Sequence, residues 1–288
     1  MVTDLFIDGT FKSCSKHFFQ LYTIHGGKNG HYLPLVFALL PSKSEQCYNK
    51  MWSLLINSCC ERYLQLKPAV FHIDFERAMN NAITSCFPDT QIDCCRFHLG
   101  QKIQSLGLSK VYMDKSSEEG KWLSKFYGLS FLPPEYVEDI MSAAPNNNKC
   151  LQFADYVLAG CITDSSTFPP TMWAAVPDLT SKHTNNGPES FHSKLNAHFY
   201  ASRPNIFLFV DVIKKMQATT YIKICAIDSM FAPCRCEMEK HQFAVVQFEC
   251  YSKGKKTRSD FIKCLRYKFG TVTVHSRTYC DRCPTCRI

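Results

Sequence analysis

Two short apolar runs that each end on an aspartate constrain this chain more than any other feature: Leu5-Phe6-Ile7 before Asp8, and Phe71-His72-Ile73 before Asp74. A carboxylate at the end of a buried run loses hydration and is costly unless something compensates it. Taken alone, Asp8 reads as a strand-end turn residue, because Asp-Gly is a common turn dipeptide. The segments between the two acids argue for more. DLFIDGTF, HFFQLYTIHGG and HYLPLVFALLP are β-rich runs separated by Ser, Lys, Gly and Asn, with Gly26, Gly27 and Gly30 at the second turn, and they predict an antiparallel meander. SEQCYNKMWSLLINSCCERYLQL carries Cys47, Met51, Leu54, Leu55 and Ser58 at helical spacing, with Ser44 as its cap. PAVFHIDF reads as a fourth strand, ERAMNNAITSCF as a short helix stopped by Pro88, and QIDCCRFH as a fifth strand.

That order has a geometric consequence. A strand reached from a meander through a helical crossover lies parallel to a strand of the same sheet, by a right-handed connection. If its partner is the first strand, Asp8 and Asp74 become neighbours at the carboxyl ends of adjacent strands, where open sheets bind ligands. From about residue 99 to 182 the strand signal fades into helical patterns broken by LPPEY, PNNN and FPP, which predicts a mostly helical insertion. KHTNNGPES then opens FHSKLNAHF, where Phe191, Leu195 and Phe199 recur every four residues and Pro188 suits the first helical position. Glu189 falls in the first turn of that helix, on a face shared with His192, Ser193 and Asn196 and turned from Phe191 and Leu195. A further amphipathic helix, IFLFVDVIKKMQATTYIKI, is expected next. The chain is expected to divide into an α/β domain over 1–225 and a cysteine-rich, basic region over 226–288.

Composition narrows the function classes. Of 288 residues 45% are hydrophobic, yet no apolar run is long enough to cross a bilayer, and the first residues lack the basic-then-apolar order of a signal peptide. A reducing compartment is therefore expected, where the 17 cysteines are buried thiols or metal ligands rather than disulfides. The net charge of +8 suits an anionic partner such as nucleic acid, and solubility alone explains it equally well.

Close carboxylates repel each other, and a cation relieves that repulsion, so Asp8 and Asp74 invite a third ligand and a divalent metal. Glu189 is the candidate; a polar helix face is otherwise simply solvated. Glu76 either adds to the same field or is a favourable charge at a helix start. His72 and Arg96 flank the acidic block as phosphate contacts or as strand residues with polar tips. In the tail, YCDRCPTC spaces Cys280, Cys283 and Cys286 as zinc ligands, with His275, Cys264, Cys234 or Cys236 to complete a set.

The motifs DGTF, PLVFALLPSKSEQCY, VFHIDFERAMNNAITSCFP, CRFHLGQKI and TNNGPESFHSKL, in this order between about Thr3 and Tyr200, resemble the Mutator-like element (MULE) transposases. The resemblance implies a ribonuclease H-like fold of the α/β class: a mixed five-stranded sheet flanked by helices, with a helical insertion before the last catalytic helix. It implies that Asp8, Asp74 and Glu189 are a DDE-type triad holding two Mg²⁺ or Mn²⁺ ions, a chemistry suited to hard oxygen ligands and in-line phosphodiester displacement. It matches Cys95 and His98 to a family Cys-x-x-His block, for which packing or DNA positioning fits better than zinc. Further implications are a DNA partner, self-association in a transposition complex, a nuclear location, and neither a membrane nor a small-molecule substrate. Asp8 lies so near the start that a truncated N-terminus is expected, without the module that finds element ends. The alternative is a domesticated, catalytically inactive descendant acting as a DNA- or protein-binding factor.

Overall fold

The computed structural model describes residues 3–29, 31–95, 103, 105–114, 116–137, 144–163, 165–178, 186–226 and 235–269. Five strands form one sheet: β1 (Asp4–Thr10), β2 (Gln20–Lys28), β3 (His31–Leu40), β4 (Val70–Ile73) and β5 (Gln91–Cys94), in the order β3-β2-β1-β4-β5. β1 to β3 form the antiparallel meander, while β4 pairs parallel with β1 and β5 parallel with β4. This is the mixed five-stranded sheet expected of a ribonuclease H-like fold.

Strand alternation assigns the two faces. Phe71 and Tyr22 face α1 (Glu45–Cys60), where Trp52 and Tyr48 meet them at ring-centroid distances of 5.3 Å each, and Phe87 closes the cluster against Trp52. Trp52 and Phe71 are fully buried, and burying one such ring stabilises by about 2–3 kcal/mol. Ser44 caps α1, its hydroxyl accepting from Cys47 N–H, as its position predicts. The buried stripe differs from the expected one: it runs through Tyr48, Met51 and Trp52, while Leu54 is exposed. The larger rings take the core, Met51 of the expected stripe is buried beside them, and Cys47 and Leu55 are only half-buried. The helix also stops at Cys60, because Tyr63 and Leu64 N–H bond back to Cys60 and Cys59 carbonyls with Tyr63 at φ +57°. That is a Schellman stop with tyrosine where glycine is usual. α2 (Arg77–Cys86) follows β4 and ends before Pro88.

The opposite face, with Phe6, Asp8, Thr23 and His25, carries a later helix, α6 (Asn186–Ala197). Leu195 of α6 packs with Cys14, Leu21, Phe209 and Val212, with Phe191 and Phe199 beside them. Phe209 and Val212 belong to α7 (Ile206–Ala226).

The chain divides into two compact units, residues 1–95 with 184–232, and residues 96–183 with 233–288. The first holds the sheet with α1, α2, α6 and α7. In the second the described elements are helical: α3 (Ser109–Met113), α4 (Glu118–Leu129), α5 (Asn148–Val157) leading into a π-helical turn, α8 (Arg235–Ser252) and α9 (Arg258–Phe269). α9 lies so close to α4 that a Cβ on Gly128 would stand 2.7 Å from Ile262 Cγ2. Among the described residues no helix is long and apolar enough to cross a membrane.

Candidate active site

The site is built where β4 ends alongside β1. The parallel register pairs Asp4 with Val70, Leu5 with Phe71 and Phe6 with His72. Carried two residues further, the same register would put Asp8 opposite Asp74, the residue that follows β4. Asp8 is only 6% exposed, so its charge needs partners within the fold. Gly9 N–H donates to Oδ1 at 2.8 Å and the His192 imidazole meets Oδ2 through Nδ1 at 2.9 Å. Gly9 itself is closely packed: a Cβ there would lie 3.0 Å from both Gln20 Oε1 and the Tyr22 ring. Burial, then Tyr48, Glu76, Asp74 and Asp8, push the Tyr22 phenol well above its ordinary pKa. One buried phenol therefore feels all three of these carboxylates.

α6 supplies the third sequence-derived acid. Glu189 is half-buried in its first turn, where negative charge is favourable, and precedes His192 by three residues on the same side of the helix. His192, expected on a polar face, is buried against the sheet. Behind it stands a chain that the sequence reading did not include. His192 Nε2 lies 2.8 Å from Thr23 Oγ1, and His25 Nε2 lies 3.0 Å from the same oxygen. Burial lowers the His25 pKa to about 3, with His192 adding to the effect and Asp8 opposing it, so this imidazole is neutral. The neutral His25 donates Nε2–H to Thr23 Oγ1, whose one hydroxyl proton is shared between His192 Nε2 and, at 3.3 Å, the Asp8 backbone carbonyl. The signal for these residues was present in β2, where Thr23 and His25 are alternate polar positions in an otherwise apolar strand and share a face with Asp8.

The other candidates fall into place separately. Glu76 accepts hydrogen bonds from Tyr48 O–H at 2.5 Å and Lys43 Nζ at 3.1 Å. It ties α1 and the turn after β3 to the end of β4, and makes no side-chain cap bond to α2. His72 stacks on Phe6 at 4.2 Å and lies 3.8 Å from Asp93 on β5. Cys95 is buried and its N–H donates to Ile73 O, which extends the β4 pairing. Arg96, His98, Cys280, Cys283, Cys286 and His275 lie outside the described residues, as do Cys234 and the side chain of Cys236. Among the described residues no group of three or more His, Cys, Asp and Glu side chains is close enough to hold a metal ion. In this arrangement the Asp8 carboxylate is compensated by His192.

A comparison with curated proteins gives no match. Residues 5–102, which span β1 through β5, match the family model of the MULE transposase domain. Asp8 and Asp74 fall inside that match, which covers about a third of the chain, and Glu189 falls outside it.

Proposed function

We propose that this chain is a DDE-type transposase catalytic core that cleaves DNA phosphodiesters and transfers strands, using Asp8, Asp74 and Glu189. The observation that carries the reading is the β1–β4 register, which brings Asp8 and Asp74 to one end of adjacent central strands. Those carboxylates and Glu189 fit Mg²⁺ or Mn²⁺ in donor type, since all offer hard oxygen atoms. These three residues would hold the ions, which when bound supply the charge that activates an oxygen nucleophile and stabilises the leaving oxygen.

The chain's own groups prepare that position. Gly9 N–H fixes Asp8 Oδ1, and His192 keeps Oδ2 compensated inside a buried site. Thr23 and His25 brace the His192 ring and with it the seating of α6, the helix that bears Glu189. Nuclear action on DNA, self-association, and zinc binding by the C-terminal cysteines belong to the same proposal.

The second reading, an inactive descendant that binds DNA or protein, draws on the His192–Asp8 pair, which stabilises the acid without any metal. Cleavage and strand-transfer assays with Mg²⁺ or Mn²⁺ separate the two. The first reading expects activity in the unaltered protein and a loss of at least about a hundredfold in Asp74→Asn, the order seen when a major electrostatic group is removed from an active site. Activity indifferent to that substitution would overturn it.

A further inference from the structure

We infer that the loop leaving β1 carries an aromatic and cationic platform, centred on Phe11, Phe19 and Lys43, that takes an unpaired nucleotide of a DNA strand beside the carboxylates. This rests on the DNA-transfer reading above and adds to it a named surface and a preferred form of substrate.

The chain leaves the sheet three residues after Asp8 and returns at Gln20. The middle of that connection is fixed: Ser13, Cys14 and Ser15 are fully buried. The Ser13 hydroxyl bonds to Asn196 of α6, and Arg203 N–H donates to Lys12 O at 2.8 Å. Its two ends are turned outward. Phe11 and Phe19 are 43% and 44% exposed and meet edge to face at 5.5 Å. Lys43 Nζ stands 5.1 Å from the centre of the Phe11 ring while bonding to Glu76, two residues beyond Asp74. The platform therefore adjoins the strand ends that carry both aspartates.

Charge complementarity identifies the occupant. Lys12, Lys16, His17 and Arg203 are exposed on the two joined loops, and neither 9–19 nor 198–205 contains an aspartate or glutamate. Arg203 is held at φ +58°, a backbone state that disfavours any side chain with a Cβ and persists only where the surroundings enforce it. Exposed ring surface on loops that carry Lys12, Lys16 and Arg203 suits a ligand with flat apolar faces and a phosphate backbone. A base inside a duplex is already stacked on both sides, so the ring face selects an unpaired nucleotide.

The test is equilibrium binding by fluorescence anisotropy in EDTA, which removes catalysis from the measurement. The probes are a labelled DNA hairpin with a four-thymidine 3′ tail and the same hairpin with a flush end. The unaltered protein should prefer the tailed probe. Phe11→Ala/Phe19→Ala should reduce that preference by about tenfold or more, the worth of one stacked base. Phe11→Leu keeps the apolar bulk and should lose most of the preference as well, with thermal melting matched to the parent protein. Phe11→Trp should retain the preference, and its fluorescence should be quenched by the tailed probe. Lys12→Ala/Lys16→Ala should weaken both probes alike and flatten the dependence on salt. A tail preference that survives Phe11→Leu and the double alanine variant overturns the platform, as does equal binding of the two probes by the unaltered protein. Cleavage that depends on Asp74 without a tail preference sinks the platform alone, and a tail preference without cleavage sinks the catalytic reading alone.

Discussion

Asp8 is tolerated inside the sheet because its hydrogen bonds lead away through His192 and Thr23 to His25, a group that stays neutral. The sign of the resulting pH dependence follows from His25. Its pKa falls from 6.5 in the unfolded chain to about 3 in the fold, so below 6.5 the unfolded state binds the extra proton. Stability contributed by the neutral imidazole is present above that value and is lost as pH falls from about 6.5 toward 3, by at most about 1.4 kcal/mol per pH unit. Urea titrations at pH 7, 6 and 5 should show that loss, and His25→Gln, which can still donate to Thr23, should lose less over the same range. A second residue-scale prediction concerns Tyr63, whose φ of +57° at the end of α1 suits glycine. Tyr63→Gly should raise stability by about 0.5–1 kcal/mol in the same titrations, since the strain relieved exceeds the entropy added to the unfolded chain. The parallel pairing of β1 with β4 was legible in the sequence because chain order carries it. The roles of Thr23 and His25 were not, because a connection as long as Phe11–Phe19 leaves the β1–β2 register open, unlike a two-residue hairpin.

Among the elements, α6 decides whether Glu189 reaches the acidic end of the sheet, and Gly187 sets how closely that helix approaches β3. A Cβ on Gly187 would lie 2.1 Å from the Tyr32 ring, a clash with the root of the ring that no rotation of its tip relieves. Gly187→Ala should therefore push the start of α6 off the sheet, at a cost of about 1–3 kcal/mol, the range for overpacking. Combining it with Tyr32→Ala should recover much of the loss, since the clashing atoms are gone. A double-mutant cycle checks this, and additive losses would show that the two residues do not meet. The helix was legible from the recurrence of Phe191, Leu195 and Phe199, of which Leu195 is fully buried and the other two are partly so. The buried side of α1 was not. Its sequence offers two adjacent apolar stripes, and the choice of Tyr48 and Trp52 over Leu54 rests on the sizes of Phe71 and Phe87 across from them. Facing side chains decide such a choice, and helical periodicity alone does not contain them.

On the scale of the molecule, the helices of 96–183 find partners in 233–288, across the part of the chain that returns to the sheet. Leu129, Phe261, Ile262 and Leu265 are all buried, and Phe131 meets Phe269 at 4.8 Å. The sequence showed both segments as helical but not that they share a core, because one apolar helical stripe fits many others and only tertiary packing selects the pair. A physical dependence follows: α4 buries its inner face partly on α9, so it needs residues far along the chain, whereas the sheet with α6 and α7 draws its core from 1–95 and 184–232. A chain ending at Ala232 should keep the amides of β1 to β4 protected from hydrogen exchange, while α4 and its neighbours exchange fast and trypsin cuts at Lys121 and Lys125. Gly128→Val should reproduce that selective exposure in the full chain, because its Cβ would fall 2.7 Å from Ile262 Cγ2 and 3.1 Å from the α9 backbone. If shortening the chain instead strips protection from strands and helices together, the two units do not hold separate cores, and the stability of the acidic site cannot be treated apart from the C-terminal helices.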